Sequence, residues 1–253
     1  MTSEWDFLYV GLAALFAGAI NAVAGGGTLL TFPVLGAMGI PMVAANVTNM
    51  VALSPGYLGG IWAQSKELRG HGRRLWLLLP VAMLGGLAGG ALLLHTEEKV
   101  FRSLVPWLIL GASLLTLLQD PLKAWIARRG VRARSALLWT GGASLIFFAG
   151  LYGGYFIAGL SIIVMGVLGL VLEESFTRLN ALKQVVSFSA NIAATVFFAF
   201  SVEVLWAVVA VMALCAFAGG ALGGRLARRI KPTTLRWCVS AAGCAVGLAY
   251  LVR

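Results

Sequence analysis

The chain has 253 residues, 60% of them hydrophobic and 11% charged, with a formal net charge of +10. So apolar a chain has too little polar surface to clothe a water-soluble globule, and lipid is expected to be its main solvent. The positive charge does not point to nucleic acid, because most of the nineteen Lys and Arg fall in three clusters, 66–74, 123–134 and 225–236, between apolar runs, the pattern of cytoplasmic loops.

The first apolar stretch, 7–38, is too long for one crossing of a hydrocarbon core about 30 Å thick, and Gly25, Gly26 and Gly27 interrupt it. Glycine tolerates turns that other residues resist, so the stretch reads as a helical hairpin or a broken helix. A half-helix beginning at Thr28 is expected to aim backbone N–H groups and the positive end of its dipole toward the midplane. Next comes 42–64, where ANVTNMVALSPGY sets Asn46, Asn49, Ser54 and Tyr57 on roughly one side. Pro55 and Gly56 are expected to bend or break this helix. Spans at 75–95 and 100–118 follow, separated by Glu97, Glu98 and Lys99, and a basic linker occupies 120–134. The stretch 137–172 is again too long for one crossing, and Gly150, Gly153, Gly154 and Gly159 predict a second hairpin or broken helix. Spans at 179–200, 204–224 and 235–252 complete the order.

Smaller signals fit this frame. The acidic start, MTSEWDF, lacks the features of a cleaved signal peptide. Cys215, Cys238 and Cys244 have no CxxC spacing and read as small packing residues. Trp62, Trp76, Trp125, Trp139, Trp206 and Trp237 lie near span ends, where an interfacial belt or plain lipid-facing bulk would put them.

Sliding the chain on itself by 134 residues aligns Gly25 with Gly159, Asn46 with Asn180, and Gly85, Gly86, Gly89 and Gly90 with Gly219, Gly220, Gly223 and Gly224. The halves therefore read as copies. The basic loop at 66–74 corresponds to an unbasic stretch at 201–203, and the 97–99 loop to the basic loop around Lys231. Equivalent loops then face opposite sides of the membrane. The expected architecture is an all-α polytopic membrane protein of two inverted repeats, each a helical hairpin or broken helix followed by three transmembrane helices. The repeats are assigned to 1–119 and 135–253, joined by a basic cytoplasmic linker at 120–134. Both termini are expected to be periplasmic and the protein to lie in a cell inner membrane.

Polar side chains at membrane depth are costly unless they face a cavity or a partner. RLNALKQVVSFSANI places Asn180, Lys183, Gln184, Ser187 and Asn191 on one helical face, with an ammonium, amides and a hydroxyl but no acid. That chemistry suits a small oxyanion, with Lys183 as the compensating charge and the others as hydrogen-bond donors. The rival reading is that Lys183 snorkels to the interface and the amides join helices. Asn49 is the positional equivalent of Lys183 in the first half, and with Asn46 it is a candidate ligand or a packing residue. Gly25, Gly26 and Gly27 are candidates through their backbone N–H groups, with close helix packing as the alternative. Catalysis has little support: His71 and His95 fall in or beside loops, no HExxH or Walker pattern occurs, and Ser54 in LSPG lacks span acids for a triad. No metal or cofactor is expected.

NAVAGGGTLLTFPVL and ANVTNM in the first half, with GLYGGYFIAGLSIIV and TRLNALKQVVSFSANI in the second, resemble the sulfite exporter TauE/SafE family, also known as TSUP. The resemblance covers nearly the whole chain. It implies secondary transport of sulfite, a sulfonate such as sulfoacetate or a related organic anion, driven by a proton or ion gradient. By position, the family's Gly-rich motif falls on Gly25 to Gly27, its first Asn motif on Asn46 to Asn49, and its Asn-Ala-x-Lys motif on Asn180 to Lys183. Thr28 departs from a commonly glycine position, and Met50 stands where a first-half Lys often follows Asn, so Lys183 is the only cation of the pair. A non-transporting receptor or scaffold is the alternative.

Overall fold

A computed structural model of the chain describes residues 4–129, 136–172, 174–201, 204–226 and 232–252. Ten α-helices run through them: α1 (Glu4–Val23), α2 (Thr28–Ala37), α3 (Met42–Ala63), α4 (Gly72–Leu94), α5 (Glu98–Arg129), α6 (Ala136–Tyr155), α7 (Leu160–Val171), α8 (Phe176–Ala199), α9 (Trp206–Leu226) and α10 (Pro232–Val252), with a 3-10 turn at Ser65–Leu68. No strand occurs among the described residues. Six of the helices (α1, α4, α5, α8, α9 and α10) contain stretches long and apolar enough to cross a bilayer. The first ten positions of the linker expected at 120–134 continue α5 as helix, and 130–134 lies outside the described residues.

Both long apolar stretches are broken helices. With 10 and 12 residues, α2 and α7 reach only about 15 and 18 Å at about 1.5 Å per residue, half a bilayer core. The first break is made by Gly25 and Gly26, at φ +83° and +84°, and the second by Gly159 at φ +87°, where a side chain would be strained. Ala24 and Gly25 both donate to Ile20 O, at 2.7 and 3.0 Å, and Leu29 N–H to Gly26 O at 3.0 Å opens the next helix.

Of the bend or break expected at Pro55 and Gly56, the break does not occur, and the helix runs unbroken from Met42 to Ala63. Proline removes the helical N–H that Val51 O would otherwise accept, and one residue earlier two side chains meet at Met50 O. Ser54 Oγ donates to Met50 O at 3.0 Å and Asn191 Nδ2 donates to the same oxygen at 3.1 Å. The N-terminus of α3 is capped from the first residue of α5, since the Glu98 carboxylate accepts from Met42 and Val43 N–H at 2.6 and 3.0 Å, where a negative charge meets the helix dipole.

Helices meet through glycine. A methyl on Gly86 would strike the Ala190 backbone, and one on Gly220 the Gly56 backbone. Likewise Gly18 lies against Ala216 O and Gly150 against Ala82 O, Gly85 against Phe147 O and Gly219 against Leu15 O. So α4 crosses α6 and α8 as α9 crosses α1 and α3, with small residues letting backbones approach. For α3, α4, α8 and α9 the correspondence keeps the 134-residue offset, whereas α1 and α6 correspond two residues out of it.

The outer surface is apolar: Trp76 is 81% exposed, Leu214 76% and Phe200 89%, as lipid-facing side chains would be. Trp62, Trp206 and Trp237 are exposed too, while the side chains of Trp125 and Trp139 lie outside the description. Cys215 and Cys244 are partly buried, but Cys238 is exposed and is not a packing residue as expected, because its side of α10 faces outward. On the side of the 66–74 loop, His71 Nε2 lies 3.0 Å from Glu174 Oε1, tying the chain ahead of α4 to the α7–α8 connection.

Candidate functional site

The two innermost long helices, α3 and α8, carry the polar side chains. On α8, Asn180, Lys183, Gln184, Ser187 and Asn191 are all buried, and on α3 so are Asn46, Thr48, Asn49, Ser54 and Tyr57. The helical period puts the α8 set on one face, and burial puts that face inside the bundle. Asn191 joins the two helices, since Nδ2 donates to Met50 O and, at 2.6 Å, to Ser54 Oγ. Ser54 Oγ in turn lies 3.3 Å from Thr195 Oγ1.

The helix breaks meet beside this pair. Gly25 packs on Ser161 and Ile162 in the first turn of α7, and Tyr57 Oη on α3 reaches Ser161 Oγ at 3.4 Å. Two of the glycine triplet's three N–H groups serve the turn itself: Gly25 donates to Ile20 O and Gly27 to Asn21 Oδ1 at 2.9 Å. Neither is left to donate to a ligand in this conformation, because a turn this tight satisfies its own donors.

Lys183 is 1% exposed, so it does not snorkel. Its Nζ donates to Asn21 O at 3.0 Å, and Gln184 Nε2 points to the same oxygen at 3.5 Å. Asn21 lies in the last turn of α1, where the dipole is negative and a cation is favourable. One turn earlier on α8, Asn180 Nδ2 donates to Ala22 O and to Gln64 Oε1, each at 2.8 Å. The equivalent residue on α3 does the same for the other break, with Asn46 Nδ2 donating to Tyr155 O at 3.0 Å. Each long helix thus clamps the carbonyl end of the other half's broken helix.

These bonds sort the sequence candidates by what they have left to give. An amide nitrogen has two hydrogens, and those of Asn180 and Asn191 are both engaged within the protein, so neither donates to a ligand in this conformation. Other buried polar atoms have no protein partner: both amide atoms of Asn49, Ser187 Oγ, Thr48 Oγ1, Gln184 Oε1, Asn46 Oδ1 and Asn191 Oδ1. A buried polar group left unpaired costs about 1–3 kcal/mol, and several on two adjoining helices are unusual in a packed interior. Lys183 supplies positive charge beside them, and neither α3 nor α8 contains an acid. No group of His, Cys, Asp and Glu suited to a metal occurs among the described residues.

Sequence reasoning missed Asn21, whose carbonyl receives Lys183, and Gln64, which holds Asn180. The position of Asn21 just ahead of the glycine break was a signal for the first. For Gln64 the only signal was a lone amide at the end of a span.

With this geometry in hand, comparisons place the chain among known proteins. The profile of the family described as Sulfite exporter TauE/SafE matches residues 10–250. The chain is 28% identical over 227 residues to a Haemophilus influenzae protein named "Probable membrane transporter protein", covering 90% of this chain and 86% of that one. It is 26% identical over 218 residues to "Probable membrane transporter protein YfcA" of Escherichia coli K12, covering 84% and 77%. It is 30% identical over 227 residues to "Probable membrane transporter protein ORF9" of a Sinorhizobium species, covering 87% and 82%.

Proposed function

Because the chain belongs to the Sulfite exporter TauE/SafE family and is a membrane transporter rather than an enzyme, we propose that it carries a small anion across a cell inner membrane as a secondary transporter. Sulfite, a sulfonate such as sulfoacetate, or a related organic anion is the cargo. The observation that carries this reading is the set of unpaired buried polar groups on α3 and α8 next to the buried Lys183.

Asn49 Nδ2, the Ser187 hydroxyl and the remaining hydrogen of Gln184 Nε2 offer donors to oxyanion oxygens, and Lys183 offers charge at low dielectric. Asn46, Asn180 and Asn191 act at one remove, holding the helix ends and the α3–α8 contact. Gly25, Gly26 and Gly27 shape the turn beside the cargo. The halves act as inverted repeats, 1–119 and 135–253, about a basic cytoplasmic linker at 120–134, with both termini periplasmic, and a proton or ion gradient drives the movement. The paired glycine crossings support the repeat, because they recur when the halves are exchanged.

Proteoliposomes test the reading. Protein-dependent flux of sulfite or sulfoacetate is expected, faster under an imposed pH or ion gradient. Absence of flux across a broad anion panel, with a protein co-purifying, would instead favour the scaffold alternative. A bright C-terminal fluorescent fusion beside an inactive C-terminal phosphatase fusion would overturn the topology.

A further inference from the structure

A recess of about 510 Å³ opens where α3 ends, lined by Trp62, Gln64, Lys66, Thr177 and Arg225 among others. Two of the three basic clusters contribute to it, Lys66 from the turn after α3 and Arg225 from the last turn of α9. Both are exposed, and Glu67 is the one acid in the lining. Arg225 is held in place, its guanidinium carbon 5.1 Å from the centroid of the Trp62 ring, which stacks on Phe217. Such a contact fixes a long side chain while leaving its N–H edge open.

Gln64 links this recess to the interior. It lines the recess yet is only 6% exposed, and its Oε1 accepts from Asn180 Nδ2 at 2.8 Å. Asn180 stands one helical turn from Lys183. The packing around the amide is tight, since a methyl on Gly224 would meet Ala63 and the Gln64 amide, and one on Gly60 would meet Gln184.

We infer that the recess is an anteroom of the buried site, binding an oxyanion between Lys66 and Arg225, and that the Gln64–Asn180 hydrogen bond is the partition the anion crosses. This rests on the transport reading for its direction but not for its binding chemistry. The volume holds an oxyanion with part of its water, given about 30 Å³ per water molecule, so charge can be gathered from solution before desolvation at Lys183. Breaking the partition frees one hydrogen of Asn180 and Gln64 Oε1 together, and the freed hydrogen can follow the anion inward. An anionic lipid headgroup presents the same oxyanion chemistry, and the experiment separates the two sources.

The experiment uses the full chain with Cys215, Cys238 and Cys244 replaced by Ala and Thr177→Cys as reporter, in zwitterionic liposomes, with a membrane-impermeant maleimide. Sulfoacetate is expected to slow labelling of the reporter, also in Lys183→Met. K66Q, R225Q and the double variant should weaken that protection by about tenfold or more, in the range of electrostatic focusing. In flux assays the double variant should raise half-saturation about tenfold from the recess side only, with the saturating rate within about twofold. Q64A should speed labelling of a Ser187→Cys reporter from the recess by at least about tenfold. Sulfoacetate without effect on the Thr177→Cys reporter, protection indifferent to Lys66 and Arg225, or protection given only by anionic lipid would overturn the anteroom. Unchanged Ser187→Cys labelling in Q64A would overturn the partition. Protection without any wild-type flux would instead overturn the transport reading and leave the binding recess standing.

Discussion

α3 and α8 occupy equivalent places in the two halves and agree at one position while differing at the next. Asn46 and Asn180 each donate to the carbonyl end of the opposite broken helix, Tyr155 O and Ala22 O. One turn on, Lys183 is bonded to Asn21 O, whereas both polar atoms of Asn49 have no protein partner. The lesson is that scaffold and chemistry obey different rules. Packing that holds the halves together repeats wherever a backbone approach must repeat, whereas a buried cation need not, because a second buried ammonium would add several kcal/mol of desolvation.

The sharpest way to break this comparison is at Lys183. Lys183→Met is expected to weaken anion binding at least about tenfold, since a charge-assisted hydrogen bond contributes about 1.5–3 kcal/mol and about 1.4 kcal/mol is one decade. Arg102→Gln, at an exposed position on α5, is the control. If the two positions are equivalent, Asn49→Lys should restore part of the affinity lost in Lys183→Asn. Normal affinity and rate in Lys183→Met, with normal amounts in the membrane, would reduce the lysine to a cap on α1.

The scaffold side is tested by glycine. Gly86→Ala and Gly220→Ala each drive a methyl into a facing backbone and should each destabilise by about 1–3 kcal/mol. Thermal unfolding in detergent should show similar losses for both, and a loss confined to one half would break the packing symmetry.

Asn49 sharpens the contrast from the other side. Asn49→Leu removes an unpartnered buried amide in favour of a similar apolar shape, so stability should hold or rise by about 1 kcal/mol. Affinity, measured by anion-dependent thermal shift, should fall about fivefold, the equivalent of about 1 kcal/mol. A loss of stability without loss of affinity would make Asn49 a packing residue. Asn46→Ala should do the opposite, costing about 1 kcal/mol of stability by freeing Tyr155 O while acting on affinity only through the helix break.

The smallest expected effect is at Glu98. Glu98→Gln keeps one acceptor on the N-terminus of α3 but removes the charge facing the helix dipole, which contributes about 0.3–1 kcal/mol. A melting shift at the limit of measurement, with flux unchanged, is the expected result.

The sequence by itself determined the number and placement of the apolar helices, both breaks, the glycine register between halves and the polar face of α8. All of these follow from local rules: span length against bilayer thickness, the freedom of glycine at positive φ, and the helical period that sets Asn180, Lys183, Gln184, Ser187 and Asn191 in line. Only the tertiary structure decided which of those side chains are free to act. Lys183 finds its carbonyl partner 162 residues away and Asn180 one of its partners 158 residues away, distances at which no periodicity carries information. The same holds for Asn191, which reaches across from α8 to Met50 O, 141 residues away. A hydrogen bond is short and directional, so whether a buried amide is engaged or unpaired depends on atoms that come together only when the halves pack.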